Sequence, residues 1–365
     1  MREDRISRTQ LMALLWAGTL APAAQLLPGL LLDRVGRGAW LAAALSAPLA
    51  LAAGWLWGAL AGREGPARAM CRLLGRRSGQ VLLLIYMVWG QLLLTLSLRS
   101  CAQRLLASGE RDGALWFFVL ALAGLLLWMG RGRLAAFARA GQLFLAALLA
   151  AAGVVLSLSL LQARPERLLP LWWEDAGPLL LAALEGTGAL GWGFFAAFLL
   201  GRVWPEEGRG WHWTAWGLGG VLLLAAAQGV ILGNLGPALA SRLESPFFAL
   251  AKSVGVEGAF QRVESIVSAL WTFADLALGG VLIFALRAMG EELLPPRARR
   301  WLPWGAVLLA AAGSLTLLAG AARVEEWSRQ WVPLGNLVLG LGVPALLGPL
   351  AKRRRRTKGE SISCG

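Results

Sequence analysis

The stretch LLWAGTLAPAAQLLPG, residues 14–29, decides how the chain is interpreted. It lies inside the first apolar segment, yet two glycines and two prolines interrupt it. Both residue types disfavour a regular helix, whereas a helix in hydrocarbon has to pair its own backbone groups. Unwound backbone at that depth is tolerated only where protein or a water-filled cavity surrounds it. The stretch therefore predicts a break in a membrane helix beside an internal site.

The whole chain has the composition of a membrane protein. Of its 365 residues, 57% are hydrophobic and 15% are charged, and the mean hydropathy is +0.61. Apolar runs long enough to cross about 30 Å of hydrocarbon predict ten spans, at 9–32, 37–61, 79–103, 113–130, 134–161, 178–202, 211–233, 262–288, 299–321 and 327–350. The predicted fold is an all-α polytopic membrane protein with a single transmembrane domain over residues 1–350.

The formal net charge of +14 is unevenly placed along the chain. With ten spans both termini share one side, and that side carries most of the arginines and lysines, with clusters at 63–77 and 352–358. The positive-inside rule then places both termini in the cytoplasm. Residues 351–365 form a basic cytoplasmic tail that anchors the topology and can contact anionic lipid headgroups. Binding to nucleic acid is not expected.

A second interrupted stretch, LEGTGALGWG at residues 184–193, falls in span 6. Ten spans divide into repeats of five, about 7–161 and 177–350, and because five is odd the second repeat is inverted. Breaks at Gly18–Pro22 and at Glu185–Gly191 then occupy matching positions in the two repeats. Such paired breaks indicate a transporter-type binding site at mid-membrane. The alternative is a kink or close helix packing, since glycine and proline are common in membrane helices.

The two breaks offer groups for a small zwitterion. Freed N–H groups around Ala17, Gly18 and Thr19, with the positive end of a half-helix, can bind a carboxylate. Glu185 is predicted to meet an ammonium group, because a charge at that depth costs on the order of 2.5–3.5 kcal/mol and needs a partner. The alternatives are that Glu185 lies nearer an interface or is protonated. Other candidate ligand-binding residues are Gly186, Thr187 and Gly188 after that glutamate, Gln91 in span 3, and Ser265 and Ser268 in span 8.

Two further predictions concern the surroundings of the site. Asp275 in span 8 is expected to pair with Arg99, which lies well inside span 3 and needs a counter-charge. Between spans 7 and 8, the apolar pattern that begins at Pro246 predicts a short amphipathic helix on the outer face. That helix either covers the cavity or lies on the lipid.

Other chemistries find little support. The cysteines, Cys71, Cys101 and Cys364, lack metal-like spacing and are interpreted as free thiols, and the single histidine, His212, has no catalytic partner in view. No phosphate-binding or dinucleotide-binding glycine motif is present. We therefore expect no enzymatic activity, no metal site and no cofactor. Residues 7–10, SRTQ, predict a capping box that opens span 1.

Two stretches, ISRTQLMALLWAGTLAPAAQLLPG at 6–29 and FQRVESIVSALWTFADLAL at 260–278, resemble the spore germination permeases. These are the B subunits of nutrient germinant receptors, in the amino acid–polyamine–organocation superfamily. The resemblance implies a five-plus-five inverted repeat with spans 1 and 6 unwound. It also implies a subunit that binds a nutrient, typically an amino acid, in the spore inner membrane beside an A subunit and a lipoprotein C subunit.

A second function remains open at this point, an amino acid or amine transporter coupled to a proton or sodium ion. A coupling cation would take oxygen ligands from span 1 and from Ser265 and Ser268. Alternatively Arg139 in span 5 supplies a fixed charge, or it snorkels to the cytoplasmic surface. Sensing and transport use the same central site, so the residues alone do not separate them.

Overall fold

The structure is a computed structural model that describes residues 4–62, 64–108, 114–169, 176–204, 211–243, 245–253 and 263–360. The helices are, in chain order, α1 (Arg8–Val35), α2 (Ala39–Ala61), α3 (Pro66–Leu74), α4 (Arg76–Ser108), α5 (Leu115–Arg131), α6 (Leu134–Leu160), α7 (Ala176–Leu190), α8 (Trp211–Leu235), α9 (Pro237–Ala240), α10 (Pro246–Ser253), α11 (Val263–Leu293), α12 (Pro296–Arg299), α13 (Leu302–Thr316), α14 (Ala321–Glu326), α15 (Val332–Leu337) and α16 (Val343–Glu360). Short 3₁₀ helices, Gly36–Gly38 and Pro165–Arg167, join some of them, and π-helical turns, Trp327–Trp331 and Val338–Gly342, flank α15.

The helices coincide with the ten predicted spans. Within the described residues, 7 helical segments are long and apolar enough to cross a membrane, and the first of these, Pro22–Ala61, takes in both the second half of α1 and all of α2. The shorter apolar helices α5 and α13 occupy predicted spans 4 and 9. The last span is the continuous run from α14 to α16. The prediction of an all-α polytopic membrane protein is confirmed.

Helix α1 starts where the sequence predicts a capping box. The Ser7 hydroxyl accepts a hydrogen bond from the Gln10 N–H at 3.2 Å, and the Gln10 side-chain oxygen accepts one from the Ser7 N–H at 2.9 Å. Each contact satisfies an N–H group at the start of the helix that has no partner within the helix. The predicted capping box is confirmed.

The residues before α1 hold three spans together at one end of the bundle. The Asp4 carboxylate accepts hydrogen bonds from the Leu134 and Ala135 N–H groups at 2.7 and 3.0 Å, and so caps the start of α6. Ile6 forms an isolated β-bridge with Val203, at the end of span 6. The N-terminal segment therefore ties the ends of spans 1, 5 and 6.

Packing between the two halves of the chain follows one scheme. Helix α1 packs along α7, α2 along α8, and α4 along α11. These are spans 1 with 6, 2 with 7, and 3 with 8, which is the pairing expected of two repeats related by a two-fold axis. In addition, span 1 packs on span 5 through α1 and α6, and span 6 packs on span 10 through α7 and α15. These two contacts are equivalent in the two repeats. The inverted repeat itself stays a prediction that this pairing favours.

The predicted break in span 1 is wrong. Helix α1 runs without interruption from Arg8 to Val35, with Pro22 and Pro28 inside it. Each proline removes one backbone donor, but α1 is enclosed by α6, α7 and α11, and such surroundings let a membrane helix keep its course through a proline. Gly18 serves close packing: a Cβ there would lie 3.1 Å from the Leu278 Cα of α11.

The predicted break in span 6 takes a different form. Residues Glu185 to Leu190 remain α-helical in α7, and from Gly191 the chain continues as a 12-residue 3₁₀ helix, Gly191–Arg202. Runs of 3₁₀ helix longer than about 3–4 residues are uncommon, and inside a longer helix they often mark a hinge. Span 6 therefore changes its helix type a few residues after the predicted break.

The short helix predicted between spans 7 and 8 is confirmed as α10. Phe247, Leu250 and Ala251 are buried on its packed face, which contacts α1, α8 and α11. The neighbouring residues 254–262, and the side chains of residues 263–268, lie outside the described part of the chain. The predicted ligand-binding roles of Ser265 and Ser268 concern side chains within that range.

Candidate functional site

The crossing of spans 1 and 6 is closely packed at the level of the predicted site. A Cβ added at Gly193, in the 3₁₀ helix, would lie 2.6 Å from the Thr19 hydroxyl oxygen and 3.3 Å from the Leu15 Cγ of α1. On its other side α1 meets α11 at Gly18, and Ala17 is fully buried. The structure therefore brings Thr19 of span 1 against the start of the 3₁₀ helix, whereas Gly18 lies against α11.

The two buried threonines of the site donate hydrogen bonds within their own helices. The Thr19 hydroxyl donates to the Leu15 carbonyl oxygen at 2.6 Å, and the Thr187 hydroxyl donates to the Ala183 carbonyl oxygen at 2.9 Å. Gly186 faces Leu27 and Leu31 of α1. Both hydroxyls still have acceptor capacity, because each uses its hydrogen in these bonds.

Glu185 does not lie where it could bind the same zwitterionic ligand as the Gly18 region. Its carboxylate pairs with the Arg34 guanidinium, at 2.5 Å and 3.1 Å. Arg34 follows Gly18 by 16 residues, or about 24 Å along an α-helix. The ammonium nitrogen and carboxylate carbon of an amino acid are only about 2.5 Å apart. One ligand cannot reach both groups, so the predicted pose, with Glu185 and the Gly18 region sharing one amino acid, is wrong.

Other predicted polar residues are engaged elsewhere. Gln91 donates its amide hydrogen to the Ala306 carbonyl oxygen of α13 at 3.0 Å. Arg139 is exposed and donates to the Ala135 carbonyl of its own helix, as a snorkelling side chain does. Both side chains therefore make their hydrogen bonds away from the crossing of spans 1 and 6.

The predicted Asp275–Arg99 pair is also wrong. Asp275 pairs with Arg104, which also donates to Gln25 of α1. Arg99 instead donates to the carbonyl oxygens of Ser314 and Ala319 at 3.3 and 2.6 Å, at the end of span 9. Asp275 does pair with a basic residue, as expected of an acidic group in a membrane helix. The register between α4 and α11 makes that partner Arg104.

Span 10 contributes a polar group that the sequence analysis missed. Asn336 donates its amide hydrogen to the Gly188 carbonyl oxygen at 3.0 Å and accepts a hydrogen bond from the Trp89 indole N–H at 3.0 Å. It therefore links spans 3, 6 and 10 just before span 6 changes helix type. An amide within the apolar run of residues 327–350 was the available signal, because a buried polar group in a membrane helix needs a partner.

The π-helical turn that follows Asn336 receives two aromatic donors. The Tyr86 hydroxyl donates to the Leu339 carbonyl oxygen at 2.5 Å, and the Trp57 indole N–H donates to the Gly340 carbonyl oxygen at 2.8 Å. π-Helical turns leave backbone carbonyls without their regular partners and frequently lie at functional sites. Spans 2 and 3 supply the donors that this turn needs.

Outside this region the described residues contain few reactive groups. Cys71 and Cys101 are free, as predicted, and Cys364 lies outside the described residues. His212 is the second residue of α8, but its side chain is not among those described. Among the residues that the structure describes, no group of three His, Cys, Asp or Glu side chains could hold a metal ion.

Comparison with known proteins identifies the family. The spore germination protein family matches the chain over residues 5–316. The fold is similar to solved structures of three mutants of the manganese transporter from Eremococcus coleocola, each with 16% sequence identity and a TM-score of 0.51, covering 93% of this chain and 77% of that one. Curated protein sequences give no match. The chain belongs to the spore germination permeases.

Proposed function

We propose that this integral membrane protein is the nutrient-sensing subunit of a germinant receptor. Family membership supports a place in the spore inner membrane beside A and C subunits. The arginine-rich and lysine-rich loops support cytoplasmic termini. The ligand is a small nutrient, an amino acid in the first instance, and the role is reception of a signal without catalysis.

One observation carries the proposal: span 6 leaves α-helical geometry where it meets span 1. The 3₁₀ helix Gly191–Arg202 begins beside Asn336 and packs Gly193 on Thr19. A 3₁₀ helix rises about 2.0 Å per residue, against about 1.5 Å for an α-helix. Rewinding all 12 residues would shorten the segment by about 6 Å. Span 6 can thus convert binding at its centre into displacement at its end.

The end that would move is attached to other spans. Arg202 pairs with Glu291 of α11, and Val203 forms the bridge to Ile6. A change in the length of the 3₁₀ helix would therefore act on span 8 and on the N-terminal segment together. These contacts lie at the predicted cytoplasmic side, where a signal from an outer nutrient has to arrive.

The proposed ligand site lies between α1 and the junction of α7 with the 3₁₀ helix. Ala17 and Thr19 contribute to it from span 1, with Gly18 on the face of α1 toward α11, and Gly186, Thr187 and Gly188 contribute from span 6. Ser265 and Ser268 of α11 remain proposed contributors from span 8. Because the crossing is packed helix on helix, the ligand has to separate Thr19 from Gly193 to enter. Binding and hinge movement are then the same event.

The test is the nutrient dose–response of spores that carry Gly193→Ala. The added Cβ would lie 2.6 Å from the Thr19 oxygen and hold the crossing apart. We expect the nutrient concentration for half-maximal germination to change at least about tenfold, which corresponds to about 1.4 kcal/mol. Gly153→Ala is the matched control, because a Cβ there meets nothing within 4 Å. An unchanged dose–response at normal protein level would refute sensing at this crossing.

Ion-coupled transport of an amino acid or amine is the second candidate, and the fold that the chain shares with a transporter favours it. Uptake of radiolabelled amino acids into proteoliposomes that contain the purified chain separates the two functions. A sensor binds the nutrient without accumulating it. Accumulation driven by a proton or sodium gradient would establish the transporter instead.

A further inference from the structure

A cavity lies on the side of α1 that faces α6 and α8, apart from the contact between Thr19 and Gly193. Five helices enclose it, α1, α6, α8, α10 and α11, and the empty space between them, including the part that is open to the surroundings, is about 770 Å³. Phe247 of α10 lies at this cavity.

The cavity wall is apolar with few exceptions. Leucine and alanine side chains form most of it, including Ala24, Leu148 and Leu224. Among the described residues of the lining, Gln228 of α8 and Trp271 of α11 are those that carry hydrogen-bond donors in their side chains. The wall therefore suits an apolar molecule with a limited number of polar atoms.

Both donors are buried without a partner among the described residues. The Gln228 side chain is only 2% exposed and its Nε2 makes no hydrogen bond, and the Trp271 Nε1 makes none either. An unsatisfied buried donor costs about 1–3 kcal/mol, and inside a membrane water is not at hand to relieve it. Two such donors at one cavity are explained by an acceptor that enters the cavity.

The cavity opens toward the lipid between α6 and α8. Leu149 of α6 belongs to the lining and is 39% exposed. Contacts between α6 and α8 are sparse compared with those that α2 makes with α8. A molecule dissolved in the bilayer can therefore reach the cavity from the side.

We propose that this cavity binds an apolar molecule that carries one acceptor oxygen, a ketone or an ester carbonyl, which receives hydrogen bonds from Gln228 and Trp271. The source is either an acyl ester of a membrane lipid or a free apolar compound that partitions into the bilayer. This site is separate from the nutrient site and does not depend on the proposed function. A bound molecule would touch α1 and α11, the two helices that meet at Gly18 and Leu278.

The experiment uses the full chain in nanodiscs and three photoreactive diazirine probes. The first is a medium-chain alkyl ketone, the second the hydrocarbon of equal length, and the third a phosphatidylglycerol with a diazirine acyl chain. Labelled peptides are located by mass spectrometry. We expect the ketone to label α6, α8 and α11 at the cavity wall and the hydrocarbon to label it more weakly.

Two variants test the donors. Gln228→Leu and Trp271→Phe each remove one donor and keep an apolar side chain, so each should lower ketone labelling about three- to tenfold, which corresponds to about 0.7–1.4 kcal/mol. Hydrocarbon labelling should not fall. The matched controls are Gln162→Leu and Trp128→Phe, whose native side chains are exposed. Gln228→Leu should also fold normally, because it removes an unpaired polar group.

Each outcome has a defined meaning. Competition between the phosphatidylglycerol probe and the ketone at the same peptides supports a lipid occupant, and ketone labelling without lipid labelling supports a free compound. Equal ketone and hydrocarbon labelling that Gln228→Leu leaves unchanged would overturn recognition by hydrogen bonds. Labelling confined to the outer lipid-facing surfaces would overturn the site itself.

Discussion

Spans 1 and 6 carry the same kind of interruption in sequence and respond to it differently. Span 1 contains Pro22 and Pro28 and stays one α-helix of 28 residues, whereas span 6 contains glycines and changes to a 3₁₀ helix. A proline removes a single donor, which enclosing helices tolerate. Glycine and proline in a membrane helix therefore indicate close packing as readily as unwinding.

The side chains that follow the glycines explain why span 6 changes. Trp192, Phe195 and Phe198 recur at intervals of three residues, and all three are buried. In a 3₁₀ helix residues i and i+3 lie directly above one another, so these rings form one ridge, with Phe195 and Phe198 centroids 6.1 Å apart. An α-helix would spread them around its surface. The aromatic spacing of three favours the 3₁₀ geometry.

Gly188→Val in span 6 should have the largest effect on stability. A Cβ at Gly188 would lie 2.8 Å from the Pro333 carbonyl carbon, and backbone cannot move aside as a flexible side chain can. We expect a loss of at least about 3 kcal/mol in stability, the upper part of the overpacking range. Thermal unfolding in detergent measures it. Gly58→Val is the control, since a Cβ there meets nothing within 4 Å, and equal melting of the two variants would contradict the contact.

Asn336→Leu should have the next largest effect. The change leaves the Gly188 carbonyl and the Trp89 indole without partners, which costs about 1–3 kcal/mol. Trp89→Phe removes only the indole donor, and the Asn336–Gly188 bond survives, so its melting temperature should fall less. If both variants melt like the wild type, Asn336 does not support the point where span 6 changes helix type.

Pro22→Ala should have a small effect of the opposite sign. Alanine restores an N–H group that can donate to the Gly18 carbonyl in a helix that is already continuous. We expect stability to rise by about 0.5–1.5 kcal/mol, the net contribution of one added hydrogen bond, and the nutrient response to persist. A response abolished in correctly inserted protein would mean that span 1 does unwind at Pro22 in a functional state, and would restore the symmetry of the two spans.

Glu185→Gln tests the contact that joins the two spans, and it should have the smallest effect. The pair with Arg34 is partly exposed, with side-chain exposures of 27% and 56%. Pairs of this kind contribute about 0–1 kcal/mol. The nutrient concentration for half-maximal germination should therefore change less than about threefold. A larger shift with intact protein would place Glu185 at the ligand after all.

The sequence predicts the positions of the membrane spans better than the contacts of the candidate site. Hydropathy located the ten spans, and the Ser7 and Gln10 side chains located the start of α1, because both signals are local. The partner of Asp275 could not be read in the same way. Arg99 and Arg104 lie on one helix but on different faces of it, and the choice depends on how α4 and α11 are placed along each other. The aromatic spacing of three residues in span 6 was a local signal for the 3₁₀ helix, whereas the glycines predicted an unwound segment.

The bridge between Ile6 and Val203 has a consequence for biosynthesis. The two residues are separated by almost 200 positions in the chain. The bridge therefore cannot form until spans 1 to 6 have been translated. At about 5–20 residues per second this delay is roughly 10–40 seconds. Asp4 can cap α6 earlier, once residues 134 and 135 have been made. The start of span 1 is thus secured in two steps during synthesis, first by span 5 and then by span 6.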